Sequence, residues 1–144
     1  LNRKTFDRFG DPETQVLMPL IEGDVGELLR SAATGTLSQD DLSLASDKHS
    51  VVVVIAAGGY PTKPSTGDAI SGLAGAAQVE GVQVYHAGTK EEDGKIITSG
   101  GRVLGIGACG DSASQARERA YQAITEIHFD NMHFRRDIAT SATT

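Results

Sequence analysis

Arg8-Phe9-Gly10-Asp11-Pro12-Glu13 packs a guanidinium, a glycine and a helix start into one short stretch. Asp11 has the character of an N-cap, Pro12 suits the first helical position, where its missing N–H costs nothing, and Glu13 complements the positive helix end. A planar arginine fork beside unpaired helix N–H groups can hold a phosphate or carboxylate. The same residues also fit a surface arginine in front of an ordinary capped helix, and on local chemistry alone both readings stand.

His86-Ala87-Gly88-Thr89 is the second candidate, because a turn there could present the imidazole to a ligand; equally, the ring could satisfy a neighbouring carbonyl at a strand end. His49, His128 and His133 stand apart from any cysteine or carboxylate at metal-ligand spacing, which argues against a zinc site. Gly105-Ile106-Gly107-Ala108-Cys109-Gly110 matches the dinucleotide fingerprint G-x-G-x-x-G, with Asp130 twenty residues beyond it. Too little chain follows to build the second half of a nucleotide fold, so a glycine-rich strand-to-helix turn that binds no NAD or FAD is expected. Cys109 has no basic neighbour in sequence to lower its pKa and is expected to be a packed thiol, not a nucleophile.

The elements that must position these residues are legible from periodicity. A first helix from Asp11, carrying Val16, Leu17, Leu20 and Ile21, should be kinked or divided by Pro19. Gly23 ends it, Asp24 caps a second helix with Glu27 at the capping-box position, and Gly35 closes that helix. Residues 36–49 are a polar connection. The β-branched run Val51 to Ala57 predicts a strand buried on both faces. Val82 to Ala87 alternates, Glu92-Asp93-Gly94 is a turn signal, Lys95 to Thr98 is extended, and Gly100-Gly101 turns into Arg102 to Gly107; the last three strands read as a β-meander. Ser112 with Gln115 opens a covering helix to about His128, with Ala116, Ala120, Ile124 and Ile127 on one face. Met132 to Ile138 is expected to be extended, and residues 139–144 to be a disordered tail. The class is α+β: one mainly antiparallel sheet, two helices in front and one helix covering it.

Composition narrows the function classes. With 13 Lys and Arg against 19 Asp and Glu, the 144-residue chain carries a net charge of −6, a poor match for nucleic acid. No run is long and apolar enough for a membrane helix, and no signal-peptide pattern follows Leu1. One cysteine excludes an internal disulfide and suits a reducing, cytoplasmic setting.

Six strings occur in one order: RFGDPETQ from Arg8, GGYP at Gly58 to Pro61, TGD at Thr66 to Asp68, HAGT at His86 to Thr89, TSGGRVL at Thr98 to Leu104, and RRDI at Arg135 to Ile138. Together they resemble the C-terminal portion of the phosphoribosylamine–glycine ligase family, ATP-grasp enzymes of purine biosynthesis, from about Arg8 to Ile138. The resemblance implies ATP-dependent joining of glycine to 5-phosphoribosylamine through a glycyl phosphate, with ATP and magnesium as cofactors of the intact enzyme. It implies a C-terminal domain similar to that of biotin carboxylase, barrel-sandwich-like, at residues 50–138. Residues 1–35 would be the end of the ATP-grasp region and residues 36–49 a connection. The partners would be the ATP-grasp and N-terminal domains of the parent enzyme.

By position Arg8 inherits a catalytic role, holding glycine or the acyl phosphate. Gly10, Asp11, Gly59, Tyr60, His86, Thr89, Arg102 and Arg135 are the substrate-side candidates. Family members carry a metal-binding glutamate and asparagine in E-x-N-x-R-F-G. Here Lys4 and Phe6 occupy those positions, so no metal is expected on this chain and, alone, it is expected to be inactive. The alternative is a stand-alone, non-catalytic binding or subunit module that keeps a phosphate-ribose site.

Overall fold

The protein is described by a computed structural model covering residues 10–38 and 41–142. Its centre is a three-stranded antiparallel sheet of β3 (His49–Ala56), β7 (Arg102–Gly110) and β4 (Val82–His86), with β7 in the middle. The pairings Val51↔Ala108, Val53↔Ile106 and Ile55↔Leu104 set one apolar row across the sheet, continued on β4 by Val82 and Val84. Helix α4 (Ala113–Glu126) lies on that row through Ala116, Ala120, Ala123 and Ile124, all buried. Alanines at those positions let the helix come close: a Cβ on Gly110 would stand 2.8 Å from the Ala116 backbone nitrogen.

The opposite face carries Val52, Gly107 and Gly105. Glycine is required at both β7 positions by close approach, not by backbone conformation. A Cβ on Gly107 would stand 2.7 Å from the Tyr85 ring, and one on Gly105 would run into the Gln15 amide. Gln15 belongs to α1 (Glu13–Leu17), so the front of the chain covers this second face. β7 is therefore buried on both sides along most of its length, which makes it the axis of the fold.

In front of the sheet, α1 passes into a 3-10 turn at Met18–Leu20 carrying Pro19, so the proline does divide the helix. The short β1 (Ile21–Glu22) then pairs with β2 (Ser43–Leu44), a strand inside the stretch expected to be a plain connection. Between them, α2 (Val25–Thr34) is capped as expected: Asp24 accepts from the Glu27 amide at 3.0 Å, and Gly35 is left-handed at φ +72°.

Several expectations are corrected. Asp11 does not cap α1: Pro12 holds the N-cap position with no side-chain cap bond, and the Asp11–Pro12 peptide is cis. The meander does not exist, because β7 inserts between β3 and β4, while β6 (Lys95–Thr98) pairs with β5 (Thr89–Glu92) in a separate two-stranded sheet. The short α3 (Leu73–Ala76) was not foreseen. The G-x-G-x-x-G stretch is not a strand-to-helix turn; all six residues lie on β7. Met132 to Ile138 makes a single bridge, His133 to Ala56, instead of a strand. In the stretch expected to be a tail, Thr140–Ala142 form a 3-10 turn, and Thr143 and Thr144 lie outside the described residues.

Candidate functional site

The turns at one end of the sheet converge. β3 ends at Ala56, and the Ala57 amide donates to the Gly101 carbonyl at 2.9 Å, tying the GGYP loop to the turn before β7. Tyr60 lies against Gly101, with only a glycine's surface beneath its ring. Gly59 sits at φ +81°, its Cα side blocked by the Lys63 carbonyl, so the loop can turn there only with glycine. From β4, the Gly88 amide donates to the Arg102 carbonyl at 2.8 Å, and the Gly88 carbonyl accepts from Ser99 at 2.7 Å. His86 and Thr89 face each other across that turn, Nδ1 to Oγ1 at 3.0 Å. The imidazole is thus held by a hydroxyl and not by a neighbouring carbonyl, and it remains solvent-exposed at the turn.

Arg102 reaches from the first residue of β7 to Asp11, with Nη2 at 2.6 Å from the carboxylate Oδ2 and Nη1 at 3.2 Å from the main-chain oxygen. Gly10, next to it, accepts from the Thr14 amide at 3.0 Å. Gly10, Asp11, Gly59, Tyr60, His86, Thr89 and Arg102 therefore gather on one edge of the molecule. Arg135 sits instead on the α4 side: its carbonyl accepts from Tyr121 Oη at 2.7 Å, and its guanidinium pairs with Asp137 at 2.7 Å. That guanidinium holds the Asp137 carboxyl below the usual carboxylate range. Arg8, Lys4 and Phe6 lie outside the described residues.

Asp68 belongs to the TGD string without standing out in it as a site residue. Its amide donates to Thr98 Oγ1 at 3.1 Å, and its carbonyl accepts from the amide of the fully buried Thr98 at 2.9 Å. Its Oδ2 is buried and has no hydrogen-bond partner among the described residues, leaving an acceptor beside the 98–102 turn. No local spacing reveals this, since the Asp68–Thr98 pairing joins residues 30 apart. Among the described residues no group of three or more His, Cys, Asp or Glu could hold a metal ion, and no helix is long and apolar enough to cross a membrane.

Comparison with known proteins places this arrangement. Residues 50–141 match the family model of the phosphoribosylglycinamide synthetase C domain. The chain belongs to that family. It is similar to the phosphoribosylamine–glycine ligase of Caldanaerobacter subterraneus subsp. tengcongensis, 47% identical over 132 residues, covering 92% of this chain and 31% of that protein. It is also 42% identical over 135 residues to the bifunctional purine biosynthetic protein ADE1 of Schizosaccharomyces pombe, covering 94% of this chain and 17% of that one. The crystal structure of phosphoribosylamine–glycine ligase from Thermotoga maritima superposes with a TM-score of 0.76 at 33% identity, over 90% of this chain and 31% of that one. The family match fits the antiparallel sheet and covering helix, and the chain spans about a third of the length of the ligases it matches.

Proposed function

We propose that the chain works as the C-terminal domain of a cytoplasmic phosphoribosylamine–glycine ligase, with residues 1–35 closing the ATP-grasp region and residues 50–138 forming the C-terminal unit. The observation that carries this is the convergence of four family motifs, at Gly10–Asp11, Gly58–Pro61, His86–Thr89 and Thr98–Arg102, on one edge of the sheet. Fold kinship to the biotin carboxylase C-terminal domain is part of the same proposal, supported by an antiparallel sheet with one helix across it.

In the proposed reaction, glycine is joined to 5-phosphoribosylamine at the expense of ATP. The described residues offer no cluster that fits magnesium, so no step through nucleotide or metal is derived for them; the other two-thirds of the ligase would supply that site. What this chain contributes is the substrate edge. Gly59 and Gly10 are candidates through their backbone groups alone, the space beside each being filled by Lys63 and Glu13, and Tyr60 offers an exposed phenol face. The His86–Thr89 pair offers a polar contact to a sugar hydroxyl or phosphate. Arg135 would reach substrate only from the α4 side. Arg8 is proposed to stabilise charge on carboxylate or phosphoryl oxygens, where a planar fork does better than a mobile ammonium.

The test supplies ATP, magnesium, glycine and fresh phosphoribosylamine, first to the purified chain and then to the full-length ligase, and follows ADP. No turnover is expected from the chain and steady release from the full protein. Arg8→Lys in the latter should lower kcat by about 10²-fold, the scale of losing one donor aimed at developing charge. Glycine-dependent ADP release by the 144-residue chain alone would overturn the proposal.

A further inference from the structure

Strict alternation along β7 would put Arg102 on the α4 side, in the row of Leu104, Ile106 and Ala108. It is not there. Ile55 pairs with Leu104, but the next residue, Ala56, pairs with Arg102, so the register skips Val103. The consecutive amides of Ala87 and Gly88 on the other side bond the consecutive carbonyls of Val103 and Arg102. An extra residue in one strand re-aims the side chains beyond it. This one moves Arg102 into the row of Ala56, Val54 and Val52, the face on which α1 lies, and there it meets Asp11 through two contacts.

Resting on the ligase reading above, we infer that the β7 bulge and the Arg102–Asp11 pair form a latch that sets the position of the segment from Gly10 through α1. Arg102 is accordingly a positioning residue that acts through Asp11, and its fork is not a free donor for substrate. Asp11 belongs to the RFGDPE string, three positions after Arg8 in the sequence, and its anchoring fixes Gly10 and the start of α1 against the sheet. The anchor comes from a residue 91 positions away, in the C-terminal unit. Such a latch makes that unit a requirement for the reaction without any contact to the reacting atoms. The pair is partly exposed, with side chains 40% and 63% accessible, so its weight in overall stability is slight and its effect is confined to where the start of α1 lies.

Two measurements test the latch. In the 144-residue chain, hydrogen exchange over residues 10–17 should quicken severalfold in R102Q and equally in D11N, with no further gain in the double variant, while the melting temperature barely moves. In the full-length ligase, R102Q and D11N should each lower kcat severalfold, the scale of releasing a partly exposed pair worth about 1 kcal/mol, with KM values little changed. The double variant should be no slower than either single one, and R102K should recover part of the rate. An R102Q ligase with raised KM and unchanged kcat would mean direct substrate contact and overturn the inference, as would multiplicative losses or unchanged exchange. Should the wild-type ligase release no ADP with these substrates, the functional reading falls, and the exchange measurement still decides the latch.

Discussion

Residues 49–142 and residues 10–44 solve the same problem in opposite ways. In the first region α4 and the front segment close both faces of a sheet, and Val53, Ile55, Val103, Leu104, Ile106 and Phe129 have almost no accessible surface. In the second, Leu17, Leu29, Leu37, Leu42 and Leu44 are all more than a third exposed, whereas Tyr60 is the one large exposed hydrophobic of the first region among the described residues. Helix α2 is well capped at both ends yet packs on no other element to a comparable extent. Good local signals make a helix, but they do not give it a core. Scattered exposed leucines are ordinary; five within one short segment point to a surface made to be covered. In the proposed ligase the cover is the ATP-grasp region.

The largest effect that could break this contrast is in the core. Ile106→Ala, on the central strand against α4, should cost about 2–5 kcal/mol in chemical denaturation of the chain. Leu29→Ala in α2 should stay within about 0.5 kcal/mol, because its side chain is half exposed among the described residues and alanine is the better helix former. In the full-length ligase the same Leu29 change should become costly, and equal costs in both settings would remove the idea of a borrowed core.

Next in size is the glycine row on the second face. Gly107→Val places methyls where the Tyr85 ring lies, and overpacking of this kind costs about 1–3 kcal/mol. Burial holds the Tyr85 phenol above its ordinary value of 10.0, with Cys109 adding to the shift. Pushing the ring outward should bring its ultraviolet titration back toward that value. Should Gly107→Val leave both the stability and the Tyr85 titration unchanged, the close approach is not what demands glycine.

Smaller again are the two caps, which sharpen the comparison because they are chemically alike. Ser112 accepts from the Gln115 amide at 3.2 Å, as Asp24 does from Glu27 at 3.0 Å. Each →Ala change removes about 1 kcal/mol of helix stability. Loss of the Ser112 cap should lower the global unfolding midpoint, since α4 is part of the core. Loss of the Asp24 cap should appear only as faster exchange within α2, because that helix can fray without opening the sheet.

These caps were legible in the sequence because a cap is decided within four residues. So were the double burial of β3, the apolar face of α4 and the break at Pro19, all products of local pattern. β5 was missed because Thr89-Lys90-Glu91-Glu92 is a mostly exposed strand with no apolar alternation to announce it. The central place of β7 was missed for a different reason: Gly105, Gly107 and Gly110 suggest turns, and only the Tyr85 ring and the Gln15 amide, brought in from elsewhere, explain the first two. At the site, the His86–Thr89 contact spans three residues and could be anticipated as a pair. Arg102 and Asp11 were both named as candidates, but their partnership depends on a register skip in a sheet whose strand order no spacing discloses.

The smallest expected effect lies inside the self-sufficient region and fixes where its electrostatics act. Lys48, just before β3, pairs with Asp111, just before α4, at 2.6 Å, joining the starts of the two elements that sandwich the core. The ammonium holds the Asp111 carboxyl below its ordinary 3.8, and the carboxylate raises Lys48 above its ordinary 10.5. A carboxyl depressed in the folded state contributes stability that is complete above 3.8 and is lost as pH falls through the folded value. An amine raised in the folded state contributes stability complete below 10.5 and lost as pH climbs through its folded value. The bridge is therefore worth most between these limits. Both side chains are well exposed, so even there its contribution is slight and screened by salt. The denaturation midpoint of Lys48→Met should trail that of the parent chain slightly near pH 7, and the gap should close below pH 3 and narrow in 1 M salt. A gap that persists unchanged at pH 2 would mean that Lys48 acts through its aliphatic stem against the sheet edge, and that even this exposed junction is held by packing instead of charge.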